Sequence, residues 1–169
     1  AQKYYYWSLQ HTEDTTPSEH AMLRGERLTN ISAGTSHCSA VSASGKVLAW
    51  GSNSDGQLGL GHDNPHDGVL GYPLIPDNII IKEVHACFRH TLALSETGLV
   101  LSWGSGLMGK LGHGLDSDET SPRIIEALKG TPIVSLGYAH DNSGAISKDG
   151  HMFVWASGTR GQLGLKDSS

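Results

Sequence analysis

Residues 103–112 read WGSGLMGKLG. Taken alone, Gly104, Gly109 and Lys110 fit the G-x-x-x-x-G-K core of a phosphate-binding loop. The fit fails at the next residue. Leu111 stands where a Ser or Thr would hold magnesium, and Gly112-His113-Gly114 is a poor opening for a helix. The rest of the chain supplies another reading. Residues 50–59 read WGSNSDGQLG and residues 155–164 read WASGTRGQLG. Gly56, Gly109 and Gly161 each follow a tryptophan by six residues, and Gly59, Gly112 and Gly164 by nine. The position of Lys110 is Gln57 in one copy and Gln162 in another. A catalytic lysine does not rotate through glutamine between copies, so these glycines serve a turn common to an internal repeat.

The repeat extends upstream. GTSHCSAVSASGKVLAWG at 34–51, CFRHTLALSETGLVLSWG at 87–104 and GYAHDNSGAISKDGHMFVWA at 137–156 share one order. Each holds a histidine (His37, His90, His140), a turn glycine (Gly45, Gly98, Gly150) and a tryptophan (Trp50, Trp103, Trp155). Every turn glycine precedes its tryptophan by five residues, and the tryptophans lie 53 and 52 residues apart. His140 lies ten residues before Gly150 rather than eight, which predicts a two-residue insertion around Asp141-Asn142. Cys87 is aligned with Gly34 and Gly137, and Ala156 replaces a glycine.

Short apolar alternation on both sides of each turn glycine predicts a hairpin. A further strand is expected before each histidine, at Leu28–Ala33, Ile79–Ala86 and Ile133–Leu136. Proline-led segments, Pro73–Ile75 and Pro122–Ile125, supply a fourth, since proline suits a strand start or edge. Helix is expected only at Ser18–Glu26 and Glu126–Lys129. Four strands in about 50 residues is the arithmetic of a propeller blade. The chain is therefore read as all-β, with about three four-stranded antiparallel blades over 28–78, 79–132 and 133–169. Residues 1–27 hold part of a preceding blade, its last strand at Tyr4–Trp7, and a connection.

The pattern H-x7-G-x4-W-G-x4-G-x-L-G resembles the repeat of the regulator of chromosome condensation family, over about residues 28–169. The resemblance implies a seven-bladed β-propeller. Seven such repeats need about 360 residues, against 169 here, so the chain is expected to be a portion of a longer propeller. Cys87-Phe88-Arg89-His90-Thr91 is similar to the G-W-R-H-T motif of plant ultraviolet receptors built on this fold. Phe88 stands where the sensing tryptophan would be, so photochemistry is not expected.

The formal charge is −5 with His neutral, and Lys and Arg form no block. That argues against a nucleic-acid face. No stretch of 18 apolar residues predicts a membrane span. Cys38 and Cys87 read as reduced core thiols, which fits an intracellular protein of unassigned compartment. His62-Asp63-Asn64-Pro65-His66-Asp67 has zinc-ligand chemistry but no helix to make the ligands converge. It is read as a solvated loop, with no metal or other cofactor expected. Asn30-Ile31-Ser32 is read as strand rather than a glycosylation site. No catalytic constellation is found, and no enzyme activity is assigned to the chain.

Recurrence once per blade gives the histidines and tryptophans structural roles. Each tryptophan N–H is expected to find an acceptor, and each histidine to tie a strand to a neighbouring loop. Partner contacts are expected at Arg89 and on the Gly61–Tyr72 loop, through His62, Asp63, His66, Asp67 and Tyr72. A non-catalytic scaffold that binds other proteins, as a subunit of a larger assembly, is the leading function. The family resemblance implies two alternatives. One is guanine-nucleotide exchange on a small GTPase. The other is the propeller module of a HECT-type ubiquitin ligase, to whose repeats residues 109–130 are similar.

Overall fold

A computed structural model of the chain describes residues 5–6, 18–19, 25, 27–66 and 69–156. Gly161, Gly164 and Asp67 lie outside the described residues. The described residues form antiparallel sheets joined by tight turns. β1 (Tyr5–Tyr6) pairs with β2 (Ser18–Glu19). The helix expected from Ser18 therefore gives way to strand at its first two residues.

The first full blade is β3 (Leu28–Ala33), β4 (His37–Ser42) and β5 (Val47–Gly51). The second is β6 (Ile81–Ala86), β7 (His90–Ser95), β8 (Val100–Gly104) and β9 (Glu119–Ile124). The third is β10 (Ile133–Tyr138), β11 (Ser143–Ser147) and β12 (Met152–Trp155). The expected strand at 122–125 is β9, displaced toward Glu119. The one expected at 73–75 does not form. A bridge at Gly71 takes its place, exchanging both backbone hydrogen bonds with Ala49. Pro73 and Pro76 lack the N–H groups needed to prolong it. Residues 79 and 80 precede β6 rather than opening it, and residues 126–128 form a single 3-10 turn.

Two apolar cores lie between blades. Val41 and Val47 pack with Ile81, Val84, Ala93, Leu101 and Trp103 of the next blade. Leu94 and Val100 pack in the same way with Ile133 and Ala145, beside Leu128 of the 3-10 turn. The first strands also touch. Val84 N–H donates to Asn30 Oδ1 and Ala86 N–H to Ser32 Oγ, both at 3.0 Å. The polar side chains of the Asn-Ile-Ser sequon are thus consumed at a blade junction. The turn glycines join in: Ile81 N–H donates to Gly45 O and Ile133 N–H to Gly98 O.

Strand register corrects one alignment. His37 pairs with Gly51 and His90 with Gly104. Cys38, Thr91 and Ser143 each pair with the blade's tryptophan. Asn142, not His140, therefore holds the repeat histidine position in the third blade, and no insertion exists. The N–H groups of Gly34, Cys87 and Ala139 donate to the carbonyls of His37, His90 and Asn142, so Ala139 replaces Gly137 in the alignment.

Ala156 matches Gly51 and Gly104 and adopts the same side of backbone space, at φ 133° against 107° and 102°. A β-carbon is costly there, by about 1–3 kcal/mol. Ala156→Gly is expected to stabilise the protein by about 1 kcal/mol after glycine's entropic penalty. Differential scanning calorimetry should show a thermal midpoint raised by about 3 °C.

Candidate interaction surface

The two junctions between the described blades are fastened by the same polar chain. Trp103 Nε1–H donates to Gln57 O at 2.9 Å, and Thr91 Oγ1–H donates to the same carbonyl at 2.8 Å. With its proton so engaged, Thr91 Oγ1 accepts from His37 Nε2–H, 2.8 Å away. One junction later Trp155 Nε1–H and Ser143 Oγ–H donate to Lys110 O, at 3.0 and 3.1 Å. His90 Nε2–H then donates to Ser143 Oγ at 3.3 Å. Both histidines are neutral Nε2–H tautomers whose buried Nδ1 atoms meet no partner. Burial lowers His37 from 6.5 to about 4. Burial, with Lys110 adding to it, lowers His90 to about 3.

The second glycine of the turn makes this docking possible. Its φ is 71° at Gly59 and 76° at Gly112. A β-carbon at Gly59 would stand 2.8 Å from Trp103 Nε1, and one at Gly112 2.9 Å from Trp155 Nε1. The expected roles of histidine and tryptophan thus meet in one bond chain. The residues that complete it, Thr91 and Ser143, follow the histidine position directly. That recurring hydroxyl was the available sequence signal.

Lys110 is nearly inaccessible, at 1% exposure. Its ammonium lies 3.6 Å from Asp141 Oδ1 and 5.8 Å from the Phe88 ring centroid. It faces inward, where no phosphate could reach it. Arg89 is held by two contacts to Asp55, at 2.9 Å through Nε and 2.7 Å through the terminal nitrogen. Its backbone is strained, at φ 84°. The two junction ion pairs have opposite polarity. The turn supplies the acid in the first and the base in the second.

The strand-connecting loops and the post-tryptophan turns share one end of the blades. Phe88 stacks on His140 at 3.6 Å between ring centroids. Both rings line an open groove of about 370 Å³ with Gly34, Cys87 and Tyr138. The Asn53 side-chain amide donates to the carbonyls of His62 and Asn64, pinning that loop to the same end. The His62 and His66 rings lie 6.4 Å apart, and Asp63 is exposed. Among the described residues no group of three or more His, Cys, Asp or Glu side chains could hold a metal. Cys38 and Cys87 are free thiols. Tyr72 is exposed at the opposite end, in a groove of about 350 Å³ with Lys46 and Ile80. The expected partner residues therefore do not form a single site.

Radially repeated antiparallel sheets with inter-blade cores define a β-propeller segment. Two models described as regulator of chromosome condensation (RCC1) repeat match the chain, one at residues 28–57 and one at 44–94 and 97–146. The chain belongs to the RCC1 repeat family. It is 32% identical over 158 residues to the human probable E3 ubiquitin-protein ligase HERC3, spanning 92% of this chain and 15% of that protein. It is 36% identical over 155 residues to the Arabidopsis thaliana ultraviolet-B receptor UVR8, covering 90% of this chain and 34% of the receptor. The solved structure of Prp20p from Saccharomyces cerevisiae, described with its binding to Gsp1p and histones, superposes with a TM-score of 0.70. That match is 25% identical and covers 83% of this chain and 35% of Prp20p. The chain thus spans about a third or less of these relatives. No helix among the described residues is long and apolar enough to cross a membrane.

Proposed function

We propose that the chain is a non-catalytic segment of a larger propeller, presenting its loops to other proteins in an intracellular assembly. One observation carries this reading. The recurring polar groups of each junction are consumed in fastening blades, while the loops between them differ from copy to copy. Val41, Val47, Leu94 and Val100 are buried by the following blade. Their equivalents Ile146 and Met152 are 44% and 73% exposed. A further repeat is the natural cover for that face, which supports the longer ring.

Site-specific photo-crosslinking in the full-length protein tests the scaffold role. Benzoylphenylalanine placed at Ser54, Leu107 or Tyr72 is expected to give discrete protein adducts in cells. Absence of adducts at all three positions overturns it.

A second reading makes the segment the propeller module of a HECT-type ligase. The extent of the match to HERC3 favours it. The full-length coding sequence decides: a HECT domain supports the module, and its absence removes it. A third, exchange on a small GTPase, draws on the similarity to Prp20p, whose structure is described with its binding to Gsp1p. Unchanged release of labelled nucleotide across a GTPase panel removes that one.

A further inference from the structure

The post-tryptophan turn occurs twice among the described residues, with one hydrogen-bond pattern and two chemistries, and with a positive φ at Met108 that its counterpart Asp55 does not adopt. Gly56 N–H donates to Asn53 O and Gly109 N–H to Gly106 O, at 3.0 and 2.9 Å. Gly59 N–H donates to Gly56 O and Gly112 N–H to Gly109 O, at 2.9 and 3.0 Å. The turn therefore does the same structural work in both blades. In the first blade its tip is Ser54-Asp55, and Asp55 is bound to Arg89. In the second it is Leu107-Met108, which are 56% and 45% exposed. The first copy shows that the turn itself does not require hydrophobic side chains there. Met108 also sits at φ 64°, a costly conformation for an exposed side chain to keep.

The loop that follows returns to this turn and carries a third exposed apolar residue. The Gly106 backbone lies against the Ser117 carbonyl. Asp116 Oδ1 lies 3.7 Å from where a β-carbon on Gly109 would stand. Leu115, which is 58% exposed, directly precedes Asp116 in this loop. Acids frame the lobe. Asp116 is exposed, and Asp118 is exposed while its Oδ1 accepts the Gly106 N–H at 2.8 Å. The described cations nearby are engaged: Arg89 with Asp55, Lys110 with Asp141 and Arg123 with Glu119. The lobe is thus hydrophobic at its centre and negative at its rim. That combination gives a partner an apolar anchor and a charge preference.

We propose that Leu107, Met108 and Leu115 form a docking surface for a basic segment of a partner protein. Aliphatic side chains of the segment sit on the three hydrophobic residues, and its Lys or Arg side chains reach Asp116 and Asp118. This assignment rests on the scaffold reading and names the partner's chemistry.

Fluorescence anisotropy with three labelled peptides of about 15 residues tests it. One peptide mixes Lys and Leu, one Glu and Leu, and one Lys and Ser. The full-length protein is expected to bind the Lys–Leu peptide at least about tenfold more tightly than either control, with affinity falling as salt rises. The double variant L107S/M108D, which installs the first blade's own residues, should lose about that tenfold. Leu115→Asn should weaken binding in the same direction. Because the turn is held by backbone hydrogen bonds and Asp tolerates the positive φ of position 108, the double variant should keep its near-ultraviolet circular dichroism. Equal binding of the three peptides, no binding, or unchanged binding by the double variant overturns the docking surface. The scaffold reading would survive that result if crosslinks still formed from Ser54 or Tyr72, and would fall with it if they did not.

Discussion

Trp103→Ala should lower the unfolding free energy by about 4 kcal/mol. Trp103 is fully buried in the core shared by the first two blades. Truncation removes most of a large apolar side chain and leaves a cavity that two facing sheets cannot easily close. It also removes the indole donor to Gln57 O. Trp103→Phe separates these effects. It keeps most of the packing and deletes the N–H, and should cost about 1–2 kcal/mol. Thr91→Val is the complementary change. It leaves His37 Nε2–H without an acceptor and Gln57 O with one donor fewer, at about 1–3 kcal/mol. Trp103 and Thr91 meet at one carbonyl, so the double variant should not show simple additivity. Urea midpoints at constant slope measure all four proteins. Additive losses would mean that the junction is ordinary packing rather than a coupled unit.

Much of this junction was legible in the sequence because a repeat carries its own controls. Three copies separated the turn glycines from a phosphate-binding motif, and the fixed place of Trp103 identified it as a blade residue. The partners were not legible. Gln57 contributes only its backbone carbonyl, so residue type gave no signal. The acid that pairs with Arg89 could not be named because Asp55 lies 34 residues away and the repeat places Met108 at that position in the next copy. His140 misled for a different reason. A histidine two residues upstream of the proper position competes with an asparagine, and only strand register decides between them. The missing outer strand at 73–75 shows the limit of edge propensity. Proline is tolerated at an edge, but two prolines within four residues remove the donors that a ladder needs.

Acid should separate the blades before it protonates most carboxylates. His37 and His90 are neutral in the fold, with folded values of about 4 and about 3 against 6.5 when unfolded. Burial is the first cause for each, and the Lys110 charge adds to it at His90. The sign follows from linkage. Below pH 6.5 the unfolded chain gains protons that the folded chain refuses, so stability is present above that pH and lost as pH falls toward the folded values. Each histidine contributes a slope of about 1.4 kcal/mol per pH unit across its window. His85 and His113 are also lowered, first by burial, and add in the same direction. Asp141 is held below 3.8 by His140 and Lys110 despite burial, so its own loss falls at lower pH. Protonated His37 or His90 would carry a second N–H on a buried atom that has no acceptor. The third blade suggests the control, because Asn142 occupies the same position without a titrating group. The double variant H37N/H90N should start less stable at pH 7 and show a much flatter decline between pH 6.5 and 4. Urea titrations at stepped pH measure both curves. An unchanged slope in that variant would mean that the acid response lies elsewhere and that the junction histidines are not its source.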